Sequence, residues 1–411
     1  MAELGSSGSF KATTSKGNTK VAFALVTSLF FLWGFAISML DPLNKHFQNV
    51  LKLSLAESSW VQVVTFGAYF LMALPAGYFM KKYGYKKGIL AGLLLYAAGG
   101  LLVYPAGEAQ SWWLFLGCLF IIACGLAMLE TAANPYATVL GDPKTAEQRL
   151  NFAQSFNGLG VIVGPLVGAK IVFASHARTV EEGFDSVQLP YVVVAFLVLL
   201  VTILFYRTPM PEIQEETLVQ DRAINAKPLF KNKHFVLGIL AQFLNVGGQG
   251  CLWGFFINYV TEVSDLSDAS ASQLQAYGMV LFMIGRFVST YLMKFVKANI
   301  LLGIYGFAIV LLLIFASQST GLVSVYAIVG FFFFQSITFP TIFALGIKDL
   351  GSDTKMAGSY IIMGVVGGAV FPPIMASIAD HSSTATSLFL PAVMFAFISW
   401  YGFVGSKVKQ A

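Results

Sequence analysis

Two acidic residues, Asp41 and Glu130, lie within long apolar stretches of this sequence. An ionised carboxylate at the centre of a bilayer costs roughly 3 kcal/mol or more, so an acidic residue in such a stretch is by default a functional hypothesis. Desolvation favours the protonated form of a carboxyl, and a group that takes up and releases a proton is what proton coupling requires. The pattern therefore predicts that Asp41 and Glu130 bind a coupling cation. Sodium binding by the same carboxylates with backbone oxygens, or a structural hydrogen bond, is the alternative.

Uncharged polar residues in apolar stretches form a second group. Gln154 and Asn157 are three positions apart and so share one face of a helix. A further stripe recurs at intervals of three and four: Gln242, Asn245, Gln249 and Trp253. Amides both donate and accept hydrogen bonds, as sugar hydroxyls do, and an aromatic ring can cover the apolar face of a pyranose. These residues favour a sugar pocket, with hydrogen bonding between helices as the alternative for each amide.

The elements that must position these residues follow from composition. Of the 411 residues, 57% are hydrophobic and 11% are charged, whereas about a quarter are charged in an ordinary soluble domain. Apolar windows long enough to cross about 30 Å of hydrocarbon as a helix recur along the chain. They lie near 20–46, 56–80, 88–105, 111–140, 149–173, 189–207, 234–261, 271–293, 299–316, 321–347, 356–379 and 386–404. The sequence thus predicts an all-α polytopic membrane protein with twelve transmembrane helices.

The basic residues divide unevenly between the two sides of these windows. The loops predicted to be external hold Lys45, Lys52, Lys170 and Arg178, and Arg286 falls within a window, so twenty of the 25 basic residues lie on the other side. Short loops that face the cytoplasm retain Lys and Arg. We expect a multi-pass protein of the bacterial inner (cytoplasmic) membrane with both termini cytoplasmic. No soluble face is available for nucleic acid, which we exclude as a partner.

One long polar interruption, from Thr208 to Lys233, divides six windows from six. We predict a flexible tail over 1–19, a six-helix half over 20–208, a cytoplasmic linker over 209–232, a second six-helix half over 233–405 and a tail over 406–411. The segment from Asn134 to Pro165 has the same parts in the same order as that from Phe339 to Pro373, offset by about 205 residues. Each has a proline-containing span end, a short charged loop and a glycine-rich span. The offset favours two parallel, pseudo-symmetric halves with a site between them.

Other chemistry finds little support. The three cysteines, Cys118, Cys124 and Cys251, lack metal-ligand spacing. No nucleophile is paired with a base, so we predict no enzyme, cofactor or metal. Arg286 lies eight residues before Lys294, about 12 Å along a helix, which places it toward the cytoplasmic end. This position favours a clamp between helices.

Four local motifs resemble the fucose permease family of sugar transporters in the major facilitator superfamily. They are LFFLW at 29–33 leading to Asp41, LETAANP at 129–135, RLNFAQSFN at 149–157, and FPTIF at 339–343 with GIK at 346–348. The resemblance implies that Asp41 and Glu130 take part in proton and sugar binding and that Gln154 and Asn157 contact sugar. Trp33, Asn134 and Phe339 lie in the same motifs, and we add them to the predicted substrate site.

The resemblance also implies the superfamily fold and cation-coupled sugar import by alternating access. This chain has Ser38 and Met39 where the fucose transporter has asparagines, and Phe339 where it has a tyrosine, so we predict a hexose or an amino sugar. The expected partners are this sugar, a proton or sodium ion and membrane lipid, and the protein is expected to be a monomer. The 38 phenylalanines keep open the alternative of a drug or lipid exporter with the same fold.

Overall fold

The computed structural model describes residues 19–38, 51–52, 60–174, 179–211 and 229–408. Asp41 lies outside these ranges, as does most of the predicted linker. Every regular element in the described ranges is helical, and the long elements form twelve spans. Numbered 1 to 12, they are Thr19–Ser38, Trp60–Tyr83, Tyr85–Glu108, Trp112–Val139, Ala146–Ala174, Val180–Arg207, Lys233–Gly254, Asp268–Leu292, Ala298–Gln318, Gly321–Gly346, Thr354–His381 and Thr384–Gly405. The predicted fold class is confirmed.

The repeat seen in the sequence is also a repeat of elements. Span 4 begins at Trp112 and span 10 at Gly321, while span 5 begins at Ala146 and span 11 at Thr354. The two spacings, 209 and 208 residues, agree with the offset of about 205 found between the motifs. Spans 1–6 and spans 7–12 are therefore equivalent halves.

Helix caps explain where several spans begin. Span 6 starts at Val180, nine residues before the predicted window, because Thr179 and Glu182 form a capping box. Its first turns carry charged residues, which a hydropathy window leaves out. Gly84 links spans 2 and 3 alone, and its φ of 85° lies in the region that favours glycine.

Ten of the twelve spans are long and apolar enough to cross a membrane by composition alone. Spans 5 and 8 are long enough, with 29 and 25 residues, but they are the least hydrophobic of the long helices. These two spans carry Gln154, Asn157 and Arg286. Their polarity is therefore concentrated in the interior of the bundle.

Four spans of the C-terminal half are interrupted, including span 12, which divides into Thr384–Ser387, Phe389–Trp400 and a π-helical end at Tyr401–Gly405. Span 7 is followed at Phe255 by a second helix, Phe256–Val263. Span 10 is broken between Gln335 and Thr338, and span 11 contains a 3₁₀ turn at Gly364–Val366. A Cβ atom at Gly367 would lie 2.0 Å from the backbone oxygen of Phe243, so glycine allows spans 7 and 11 to approach closely.

Basic side chains gather at one side of the bundle, which we call the basic face. It is the side where Lys86 donates hydrogen bonds to the backbone oxygens of Tyr206 and Thr208 and where Lys348 pairs with Glu147. Toward this face the apolar core of the N-terminal half continues into Phe343 and other side chains of spans 10 and 11. The two halves thus share a core at the basic face.

Candidate functional site

Glu130 is buried in span 4 with 3% of its surface exposed. Neither oxygen of its carboxyl group makes a hydrogen bond of standard geometry among the described residues, and neither does Nδ2 of Asn134, which lies one turn further along and interacts with the carboxyl at longer range. A buried polar group without a partner costs about 1–3 kcal/mol. Buried polar groups that lack a hydrogen-bond partner in the protein are candidates for binding a proton or a ligand.

The amides of span 5 extend this site. Gln154 donates from Nε2 to Oδ1 of Asn134 at 2.9 Å. Asn157 donates from Nδ2 to the backbone oxygen of Phe30 in span 1 at 3.3 Å. Both amides are buried. Span 1 can lie this close because a Cβ atom at Gly160 would meet the backbone oxygen of Phe31 at 2.3 Å. The N-terminal half therefore contributes three buried amides near Glu130, of which Gln154 and Asn134 are hydrogen-bonded to each other.

Arg286 crosses from span 8 to this set. Its Nη1 donates to the backbone oxygen of Gln154, to Oε1 of Gln154 at 3.5 Å and to Oδ1 of Asn157 at 3.3 Å. Its Nε donates to the backbone oxygen of Ser336 at 2.8 Å, and its guanidinium lies 4.4 Å from the ring centre of Phe282. Arg286 thus joins spans 5, 8 and 10, as expected of a clamp between helices.

The C-terminal half contributes amides without partners. Gln242 and Asn245 in span 7 are fully buried, and no nitrogen or oxygen of either side chain is hydrogen-bonded within the described ranges. Oε1 of Gln335 and Nε1 of Trp253 share this state. Gln249 is half-buried further along span 7. This group has the hydrogen-bonding capacity that a polar ligand would use.

Aromatic rings connect the two polar groups. The ring of Trp253 stacks on Phe332 with centres 6.0 Å apart and meets Phe282 edge to face at 5.4 Å. Phe282 also contacts Arg286. On the opposite half, Nε1 of Trp33 donates to the hydroxyl of Tyr69. Phe282 and Tyr69 therefore join the site.

Sequence reasoning missed Tyr69, Phe282 and Gln335. Gln335 follows four phenylalanines and is as isolated a polar residue as Gln242, so the same criterion could have found it. Tyr69 and Phe282 carry no such signal among many aromatic residues. Phe339 is half-buried against the core shared by the halves.

Acidic side chains are scarce near this site. No group of three or more His, Cys, Asp or Glu side chains that could hold a metal ion occurs in the described part of the chain. The only other acidic side chain there that is buried is Glu147, at the beginning of span 5. Among the described residues, Glu130 is therefore the one buried acidic side chain that lies within a span rather than at its beginning.

Besides the bonds of Arg286, three further contacts between the halves lie toward the basic face. Lys348 pairs with Glu147 at 2.7 Å, Gln148 donates to the backbone oxygen of Thr290 at 3.0 Å, and Asn151 donates to Thr341 at 3.1 Å. We call these three pairs the basic-face seal. A cavity of about 310 Å³ lies beside it, between the span 4–5 and span 10–11 links. The seal separates the polar site from the basic face.

Twelve spans in two equivalent halves, with buried polar groups where the halves meet, define a membrane transport protein. A family model described as the Major Facilitator Superfamily matches residues 26–372. The chain belongs to this superfamily.

Its relatives are also transporters. The chain is 35% identical over 399 residues to the glucose/galactose transporter of Brucella abortus (strain 2308), covering 96% of each chain. It is 36% identical over 400 residues to the L-fucose-proton symporter of Escherichia coli (strain K12), covering 92% of this chain and 91% of the symporter. A crystal structure of FucP, a superfamily transporter in the outward conformation, superposes with a TM-score of 0.88 at 34% identity, covering 95% of this chain and 100% of that one.

Proposed function

We propose that this protein imports a hexose or an amino sugar by cation-coupled symport, with a proton as the coupling ion. The observation that carries the proposal is the buried carboxyl of Glu130, which makes no hydrogen bond of standard geometry within the described ranges and lies one turn from Asn134, the acceptor of Gln154. A protonated carboxyl can donate a hydrogen bond, whereas the ionised form only accepts. The charge of Glu130 can therefore change how the neighbouring amides meet a sugar hydroxyl.

Transport follows from alternating access. Sugar and proton bind between the halves from the side away from the basic face, the halves rock, and both are released at the basic face. The unbonded amides of Gln242 and Asn245 bind hydroxyl groups, and Trp253 covers the apolar face of the ring. Gln249, Trp33 and Phe339 complete the pocket. Asp41 has the second coupling role by family resemblance.

The orientation follows from charge. Short cytoplasmic loops are enriched in Lys and Arg, so the basic face is cytoplasmic and both termini lie there. The protein then acts as a monomer in the bacterial cytoplasmic membrane, surrounded by lipid, and as a transporter rather than an enzyme. The names of the relatives from Brucella and Escherichia support a sugar as substrate and, for the latter, a proton as the coupled ion.

The test is uptake into proteoliposomes of labelled glucose, galactose, mannose, fucose and N-acetylglucosamine under a pH gradient or a sodium gradient. We expect one of these sugars to accumulate under the pH gradient. Glu130→Gln and Asp41→Asn should abolish accumulation, while Glu181→Gln, an exposed acid at the start of span 6, should not. Accumulation under the sodium gradient alone would identify sodium, rather than a proton, as the coupling ion. Absence of sugar flux under either gradient, together with flux of a lipophilic drug, would contradict the proposal in favour of an exporter.

A further inference from the structure

Arg286 joins the two halves through the amides of the proposed sugar site. Three of its four hydrogen bonds go to Gln154 and Asn157 of the other half, and the fourth goes to Ser336 of its own half. The described residues place no carboxylate within ion-pair distance of its guanidinium, since their one ion pair is that of Lys348 with Glu147. A buried cation depends on the partners it has. The amide and backbone oxygens are those partners.

These bonds fix the direction of both amides. A terminal amide has an accepting end and a donating end. Arg286 binds the accepting ends of Gln154 and Asn157, while their donating ends go to Asn134 and to the backbone of Phe30. The accepting end of each amide is therefore held from the opposite half of the protein, while the donating end is held within its own half.

Comparison with Arg149 shows that this arrangement is not a general feature of arginines in the bundle. Arg149 also makes four hydrogen bonds, to Ala137, Thr138, Asp142 and Thr145. All four lie within the N-terminal half, so they can persist when the halves move. Those between Arg286 and span 5 cannot persist if spans 5 and 8 separate.

Separation of the halves at the basic face would thus release both amides. We infer that Arg286 is a positioning residue that makes sugar affinity depend on which face is open, an inference that rests on the proposed symport. With the basic-face seal formed, Arg286 holds Gln154 and Asn157 ready for sugar. With the seal broken, the amides lose this orientation and sugar leaves. A ligand shifts a conformational equilibrium only through such a difference in affinity.

The first test measures how often the seal opens, without sugar. Thr341 of the seal is replaced by cysteine in a chain whose Cys118, Cys124 and Cys251 are replaced by alanine. A membrane-impermeant maleimide is applied to the basic face. Arg286→Met should raise the labelling rate of this cysteine at least tenfold, because the bonds across the halves are lost. Arg286→Lys, which keeps the charge but lacks the planar set of donors, should raise it less.

Arg149→Met is the matched control. It removes the same number of hydrogen bonds and should lower the melting temperature without changing the labelling rate. Size-exclusion chromatography checks that each variant is folded. A folded Arg286→Met protein that labels at the parent rate overturns the inference. Should that variant not fold, a folded Arg286→Lys protein with the parent rate overturns it.

The second test measures sugar affinity. The external KM of the transported sugar should rise at least fivefold in Arg286→Lys and stay within twofold in Arg149→Met. A role in stability alone would lower the amount of active protein, and hence the maximal rate, and leave KM unchanged. If the parent protein moves no sugar, the proposed function fails, while the labelling test still shows whether Arg286 controls the seal.

Discussion

The two halves of the candidate site differ in how their polar groups are satisfied. In the N-terminal half, Gln154 and Asn157 are bonded to neighbours near the carboxyl of Glu130. In the C-terminal half, Gln242 and Asn245 are buried with no side-chain partner in the described ranges. The first arrangement is preorganised, and the second is incomplete without a ligand. The difference leads to the expectation that the N-terminal half supplies preoriented amides beside the coupling carboxyl, while the C-terminal half supplies amides that only a ligand can satisfy.

The largest effect is expected from Glu130→Gln, which removes the titratable group and keeps the shape. The sugar should reach equal concentrations on both sides of the membrane instead of accumulating against its gradient, because no proton is taken up with it. Exchange of labelled for unlabelled sugar should continue, since the amides remain. Both are measured in proteoliposomes with a pH gradient imposed or absent. If the Glu130→Gln protein accumulates sugar at the parent level, a residue other than Glu130 couples transport to the proton.

The dependence on pH should follow from the same carboxyl. Symport requires protonated Glu130, so uptake should fall as the external pH rises through its titration, and exchange by Glu130→Gln should be flat over that range. The measurement is initial uptake rate against external pH for both proteins. A parallel decline in the variant would place the titrating group outside Glu130.

Next in size is Asn134→Leu, which removes the acceptor of Gln154 one turn from Glu130. Loss of the 2.9 Å hydrogen bond leaves Nε2 of Gln154 without its acceptor. Such a loss is worth about 1–3 kcal/mol, or roughly tenfold in external KM. Asn299→Leu, which removes a side-chain hydrogen bond to the backbone of Gly402 within the C-terminal half, is a control expected to leave KM unchanged. An unchanged KM in Asn134→Leu would mean that the hydrogen bond of Asn134 to Gln154 does not orient Gln154 for sugar.

A smaller effect on sugar affinity is expected from Gln242→Leu, together with an increase in stability. Removing a buried amide that lacks partners relieves about 1 kcal/mol or more of desolvation, so the melting temperature should rise by about 2 °C. Sugar affinity should fall by roughly three- to tenfold, because a ligand contact is lost. A thermal shift assay and a binding titration on one preparation measure both. Lower stability together with unchanged affinity would show that Gln242 is structural.

The smallest effect is expected at the ion pair of Lys348 and Glu147. The lysine side chain is 44% exposed, and exposed pairs contribute about 0–1 kcal/mol. Glu147→Gln should therefore raise labelling of the Thr341→Cys reporter by less than about fivefold. Exchanging the two charges, with Glu147→Lys and Lys348→Glu together, should restore the parent rate. A larger effect than that of Arg286→Met would make the ion pair the main bond of the seal.

Much of this fold could be predicted from the sequence because each span is a local feature. A helix in lipid bonds its own backbone and shows its length as an apolar window. The predicted helix boundaries were wrong where polar residues continue a helix, as at Val180. The breaks in spans 7 and 10 carry no hydropathy signal and could not be predicted. These features depend on caps and on neighbouring helices.

The sequence could predict individual residues of the candidate site but not the contacts between them. Isolated polar groups such as Glu130 and Gln242 stand out against an apolar background. Their partners do not, because Arg286 and Gln154 are 132 positions apart and meet only when the halves pack. The spacing to Lys294 predicts a position of Arg286 toward the cytoplasmic end of span 8, but it could not reveal the acceptors of its guanidinium.

The polarity of spans 5 and 8 has a consequence for the biogenesis of the protein. An arginine at the centre of a helix opposes passage from the translocon into lipid by roughly 3 kcal/mol, and Arg286, six residues before the end of span 8, carries part of this cost. Span 8 gains acceptors for Arg286 from span 5, which is synthesised earlier. The first half can thus receive span 8 as it leaves the ribosome. A C-terminal half made alone should integrate span 8 poorly and regain integration when the N-terminal half is co-expressed.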